Sequence, residues 1–329
     1  MALFPDTGSP YFVFSSVADN AFGQNAHAGN QDDGSFTLAI DDQFGAKGGN
    51  DKGKGGGKPK DPEPDPEADP EADPEPDPNP VQFDPYTSGD DTVDDNLEYN
   101  ITVEFNGDGW TQELVDVFIA AADFLSGVIA EDRPDYIAGD DPNNFFSTDI
   151  DDIQIKATMT NIDGPGGILA GAGPTHIIWD PSAGDTSADA LPFAGEMEFD
   201  SSDVGTYLAS GQLYDIVLHE MMHVLGFGTL WEYSGIVETE IDDMGTRRPV
   251  DDVIVYNYLG AYATAENGGV APAVESDGGP GTAGGHWDEV TFNDELMTGY
   301  INDLNFYTSL SIGALVDLGY EVTDGLLLA

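Results

Sequence analysis

Apolar and polar residues alternate along Ile101-Thr-Val-Glu-Phe105, the period of a half-buried strand. From Thr111 to Ile129 the spacing changes: Leu114, Val117, Phe118, Ala121, Phe124, Leu125 and Val128 recur three and four apart, which predicts a long amphipathic helix. Strand spacing returns at Ile153-Gln-Ile-Lys-Ala-Thr-Met159 and again at Thr175-His-Ile-Ile-Trp179. Between them, Gly164 to Pro174 is too rich in glycine for a regular element and reads as a loop; it lacks the Gly-Lys-Ser/Thr of a nucleotide-phosphate loop. Gly195-Glu-Met-Glu-Phe-Asp200 alternates strongly and predicts an edge strand along a cleft, where an extended peptide can add as a further strand. Ser201 or Ser202 with Asp203 offers helix-capping chemistry just after it. Leu213 to Leu225 is largely apolar, as a helix buried through a domain should be, and Gly226 allows a left-handed exit. The long passage after Gly226 is rich in Gly, acid and Tyr and predicts an irregular C-terminal half, closed by a helical pattern from Leu310 to Leu318 with Gly319 as its stop.

The chain before residue 81 has a different character. Residues 1–45 mix short apolar patches with Gly, Asn and Asp and form a segment of unknown role, whether propeptide, export-related segment or weak hairpin. Gly48 to Lys60 is rich in Gly and Lys, and Asp61 to Pro80 alternates acid with proline. Proline removes amide donors and fixes φ, while like charges push the segment straight, so residues 46–86 predict a disordered, extended linker. Residues 87–329 are then the globular domain, of the α+β class.

Charge narrows the partners. The 329 residues carry a formal charge of −54 and no cysteine, which excludes disulfides and thiolate ligands. Five of the six lysines (Lys47, Lys52, Lys54, Lys58, Lys60) lie in one short run. From Val81 onward 47 Asp or Glu face only Lys156, Arg133, Arg247 and Arg248, a balance of −43. Such a surface repels nucleic acid and anionic membrane. Calcium at clustered carboxylates is compatible with this charge, but no EF-hand loop or repeated calcium nonapeptide supports it. No apolar run is long enough to span a bilayer, and Met1 to Asp6 lacks the basic and long apolar regions of an ordinary secretory signal. Nothing in the chain sets an oligomeric state, and a monomer is expected.

The buried helix carries the candidate chemistry: His219-Glu-Met-Met-His223. Residues four apart share a helix face, so both imidazoles can point at one ion. Zinc accepts histidine nitrogen and, in catalytic sites, keeps a position open for water; Glu220 is placed to act on that water as general base. His27 has no partner at ligand spacing, and His176, alone in a strand, suits a core or surface role. A catalytic zinc normally takes three protein ligands. Thr229 stands where the shortest metzincin spacing would place the third histidine. His286 is the only histidine downstream, between Gly285 and Trp287.

His219-Glu-Met-Met-His-Val-Leu-Gly-Phe-Gly228, a long insertion, Gly285-His-Trp287 and Glu295-Leu-Met-Thr-Gly299 together resemble the leishmanolysin family of metzincin metalloproteases, in its bacterial leishmanolysin-like branch. The similarity extends from about Ile101 to Tyr320 and is densest from Gly195. It implies a metzincin-like catalytic domain with a mixed sheet, long helices, an active-site helix and a Met-turn. It also implies His286 as third ligand to one catalytic zinc ion, Met297 as the Met-turn residue beneath the metal, and a zinc-dependent endopeptidase acting on peptide or protein substrates. Extracellular location follows from the same resemblance, by a route without a cleaved N-terminal signal. The chain departs from the family in two respects. Without cysteine, latency through a propeptide thiol is unavailable, and Gly299 stands where some metzincins place an extra tyrosine ligand. Two other readings stay open: a zinc hydrolase on a non-peptide substrate, which would keep every ligand, and an acidic secreted binding or matrix protein with a structural zinc, which would need four protein ligands.

Overall fold

The computed structural model describes residues 82–327 except 90–91, 94–96, 142, 144, 180–189, 243, 246–252 and 280, together with residues 11–13 and 45–46. The predicted N-terminal segment and linker therefore lie almost wholly outside the described residues. The main sheet has six strands: β1 (Tyr11–Val13), β3 (Tyr86–Thr87), β4 (Ile101–Asn106), β5 (Ile153–Thr160), β6 (Ala170–Trp179) and β7 (Ala190–Asp200), in the order β1-β6-β7-β5-β4-β3. β4, β5 and β7 run parallel; β3, β6 and β1 are antiparallel to their neighbours. β2 (Gly45–Ala46) lies apart, paired with a short strand near the C-terminus.

The predicted helix is α1 (Gln112–Val128), which crosses from β4 to its parallel neighbour β5. Thr111 caps it, its hydroxyl accepting from the amide of Leu114 at 3.3 Å. Its buried stripe, Leu114, Phe118, Ala121 and Leu125, packs in one core with Ile101, Val103 and Phe105 of β4, Ile153 and Ile155 of β5, and Met197 and Phe199 of β7. Phe118 meets Trp110, Phe105 and Phe199 edge to face. Each such side chain withdrawn from water contributes about 1.5–3 kcal/mol.

Two expectations are corrected by the sheet. The glycine-rich stretch is not all loop: from Ala170 to Pro174 it is the first half of β6. And β7 is not an edge strand, because β5 and β6 pair with its two sides; its polar alternation reflects the exposed face of the sheet, where Glu198 points outward. The glycines are used for close approach. A Cβ on Gly195 would strike the side chain of Val224 and lie 2.8 Å from the carbonyl of Gly173. The next helices, α2 (Val204–Ser210) and α3 (Leu213–Val224), follow β7, and this lack of side chains lets the end of α3 settle directly on β6 and β7. Asp203 precedes α2 but its side chain does not cap it; the carboxylate accepts from Gly166 N instead (2.9 and 3.1 Å). Asp200 beside it accepts from the amides of Ile162, Asp163 and Gly164, so both acids fasten the β5–β6 turn.

Beyond α3 there is more regular structure than composition suggested: a hairpin of β8 (Val237–Asp242) and β9 (Val253–Tyr258), then α4 (Ala261–Glu266), α5 (Glu289–Phe292), β10 (Tyr300–Ile301) and α6 (Ser309–Leu318). β10 is the partner of β2. Gly319 ends α6 at φ 115°, as its position predicts. The described part is thus α+β with a mixed sheet, and no described helix is long and apolar enough to cross a membrane.

Asp152 is a buried tie between elements. Only 2 % exposed and with φ of 44°, it accepts from the amides of Asn100 and Arg133, both at 2.6 Å, at the entrances to β4 and β5. Burial pushes its carboxyl up to about 8 against the pull of those two amides, with Asp151 and Asp132 adding to the rise. A folded-state pKa above the unfolded value means that the folded chain holds the extra proton, so stability declines as pH rises from about 4 through about 8. Urea midpoints measured across that range should fall with pH, and Asp152→Asn, which cannot titrate and tolerates positive φ, should flatten the decline.

Candidate metal centre

The centre is assembled from two places on the chain. α3 presents His219 and His223 on one face, four residues apart, and its whole second half is buried. Gly226 turns the chain at φ 102° after the helix. The third residue, His286, arrives from a loop 63 residues beyond His223. Its approach depends on Gly228 (φ 71°), where a Cβ would collide with the backbone of Gly285. Behind His286, Trp287 packs against Phe227, Trp231 and Tyr258, an aromatic wall fully closed to solvent at Trp287 and Trp231.

The three imidazoles meet at their Nε2 atoms, which are 2.8 Å apart for His219 and His223 and 3.1 Å from each of these to His286. Every Nδ1 faces a backbone carbonyl: Leu296 at 2.8 Å for His219, Phe227 at 2.9 Å for His223 and Thr282 at 3.0 Å for His286. A carbonyl oxygen only accepts, so each Nδ1 carries the hydrogen and each Nε2 is left with a lone pair. Burial, reinforced for His219 and His223 by the neighbouring imidazoles, pushes the pKa of all three down, to about 4 for His286. They are neutral at neutral pH. Three lone pairs converging in a buried space repel one another, and a cation at their meeting point relieves that repulsion. Nitrogens at about 2.0–2.1 Å from a tetrahedral zinc would stand roughly 3.3 Å apart, close to the spacing seen here, so the donor set fits zinc.

Glu220, 1 % exposed, sits beside His219 on the same helix. Met297 is fully buried in the turn after Leu296, the residue whose carbonyl holds His219. Thr229, at the position of the shorter histidine spacing, supports the site differently: its hydroxyl donates to the carbonyl of His223 at 2.8 Å. His176 is elsewhere, among Phe145, Phe146 and Phe193, where burial pushes its pKa down to about 4. His27 lies outside the described residues. A second group, Asp132, Asp151 and Asp152, brings carboxylates within 4.8 Å, but both oxygens of Asp152 already accept amides. Gly228, Thr282 and Glu295 are parts of the site that spacing did not reveal. The alternation of Gly226 and Gly228 after the second histidine was the one available signal, for a chain reversal crowded by another segment.

The family model described as leishmanolysin matches residues 179–325, from the end of β6 through α6. Over this region the chain is similar to the leishmanolysin family. A leishmanolysin homolog of Crithidia fasciculata is 28 % identical over 185 residues, 54 % of this chain and 26 % of the relative. Leishmanolysin of Leishmania donovani is 32 % identical over 114 residues, 33 % of this chain and 19 % of that protein. The chain thus matches about a quarter or less of the length of these curated relatives. The leishmanolysin-like segment contains all three histidines, Glu220 and Met297.

Gly228→Ala is expected to push the Gly285–His286 segment away from α3. Overpacking of this kind costs about 1–3 kcal/mol, which a lower thermal midpoint would register. Displacement of His286 would show in histidine ring NMR signals, with the largest changes there.

Proposed function

We propose that the chain is a zinc-dependent endopeptidase, with His219, His223 and His286 as ligands to one catalytic zinc ion and Glu220 as general base. The observation that carries this reading is the meeting of three neutral imidazoles with their lone pairs turned inward and their other nitrogens tied to carbonyls. The match of residues 179–325 to the leishmanolysin family model supports it. So does the number of ligands: three histidines converge among the described residues, which suits a catalytic zinc with an open position better than a closed structural one.

When bound, zinc supplies a Lewis acid and lowers the pKa of a coordinated water from 15.7 towards about 7. The chain's own residues do the rest. The three carbonyl-anchored imidazoles hold the geometry without needing to deprotonate. Glu220 takes the proton of the attacking water and returns it to the departing amine. Met297 underlies the ligands as a soft, apolar support. A peptide substrate is consistent with β6: among the described residues its outer edge is paired only at His176–Ile178, which leaves Ala170–Pro174 free to accept an extended strand. Gly173 on that stretch lies close to Thr229, just past α3. An extracellular role fits a cysteine-free, strongly acidic chain.

The 329-residue chain should cleave casein, lose that activity to a chelator and regain it with zinc. Glu220→Gln should still bind one zinc per chain, yet cleave at least ~100-fold more slowly. Undiminished cleavage by that variant would remove Glu220 from the chemistry, and cleavage indifferent to chelator would remove zinc.

A further inference from the structure

Glu295 is a buried acid, 5 % exposed, and both of its oxygens are used as acceptors, from amides and hydroxyls. Oε2 accepts from the amide of Met297 at 2.5 Å. That amide belongs to the peptide unit joining Leu296 to Met297, and the carbonyl of the same unit receives Nδ1–H of His219 at 2.8 Å. A trans peptide is planar, its N–H and C=O pointing in opposite directions. Pinning the N–H therefore aims the carbonyl, and the carbonyl aims the imidazole. Oε1 leads to the other branch of the centre. It accepts from the hydroxyl of Ser311 at 2.7 Å, and Ser311 in turn accepts from the indole N–H of Trp287 at 3.0 Å, next in sequence to His286. The amide of Trp287 closes the frame by donating to the carbonyl of Met297 at 3.0 Å. Thr308, at the start of α6, donates its hydroxyl to Oε1 at 3.1 Å.

We propose that Glu295 is a positioning residue for the metal centre, orienting His219 through the Leu296–Met297 peptide and the His286 segment through Ser311 and Trp287. The inference rests on the zinc-ligand reading above but concerns a residue that touches neither ion nor substrate. Loss of partners that orient metal-ligating histidines typically costs tenfold to hundredfold in metal affinity. A residue that merely docked α6 would affect folding and leave the ion's surroundings unchanged.

The test uses the full chain loaded with cobalt(II), whose visible absorption reports ligand geometry, and measures affinity by competition with a chromogenic chelator. Glu295→Met removes both acceptors at similar length; it should bind cobalt roughly tenfold to hundredfold more weakly, with an altered spectrum. Glu295→Gln keeps one oxygen that can receive Met297 N–H, and should recover most of the affinity and the spectrum. Ser311→Ala breaks only the Trp287 branch; it should weaken binding severalfold, and it decides the matter if Glu295→Met does not fold. A folded Glu295→Met chain with wild-type affinity and spectrum would overturn the inference, as would an unchanged Ser311→Ala should that variant have to decide. Failure of the unmodified chain to bind cobalt or zinc at all would instead overturn the ligand assignment itself.

Discussion

Three hydrogen bonds from imidazole to backbone carbonyl govern this structure. Each fixes a tautomer, and together they turn three Nε2 lone pairs toward one point inside the protein. The arrangement is unfavourable without a cation, so it must be held by the surrounding fold. The anchoring carbonyls come from three segments: Phe227 in the turn after α3, Thr282 in the loop before His286, and Leu296 in the turn before Met297. No single element owns the centre, and each of these segments must be in place for all three rings to face inward.

The surrounding structure is arranged to permit that convergence. α3 lies close on the sheet because Gly195 presents no side chain beneath Val224. The end of the helix is held by the hydroxyl of Tyr320, which donates to the carbonyl of Leu225 at 3.0 Å, bringing the C-terminal part of the chain against it. On the far side Trp287, Trp231, Tyr258 and Phe227 form a continuous aromatic mass between the hairpin, the turn after α3 and the His286 loop. Its bulk keeps water from the rear of the centre. A low dielectric there strengthens every electrostatic interaction made by the rings.

A chain with so few cations must satisfy its inward-facing acids by other means, and it does so with amides and hydroxyls. Asp152 joins the entrances of β4 and β5, and Asp200 and Asp203 secure the β5–β6 turn. Asp317 on α6 accepts from the amides of Tyr262 and Ala263 at the start of α4. There a carboxylate also complements the positive end of the helix dipole. Glu295 belongs to the same set, with the difference that its amide partner leads to the three converging histidines. Ion pairs among the described residues include Lys156 with Glu196, which is solvent-exposed, and Arg133 with Glu131, which has one exposed partner. Surface pairs of that kind contribute little. The acidity outside is thus left to solvent, while the acidity inside is built into backbone turns.

What could be read in the chain was whatever depends on near neighbours. The 3.6-residue period of α1, the alternation of β4 and β5, the Gly319 stop and the pairing of His219 with His223 are all consequences of local backbone geometry, and all are visible in spacing. The placement of Ala170–Pro174 in a strand was not, because glycine has little strand preference of its own and the pairing is imposed by β7. Alternation in β7 revealed one polar face but said nothing about which strands flank it, since side-chain period does not encode hydrogen-bond partners. The third histidine illustrates the division most sharply. Its identity could be suggested by resemblance, but its distance from the helix pair, the crowding at Gly228 that admits it and the carbonyl that sets its tautomer arise only when segments far apart in the chain are packed together. Helical spacing is a property of consecutive residues; convergence of lone pairs is a property of the packed whole.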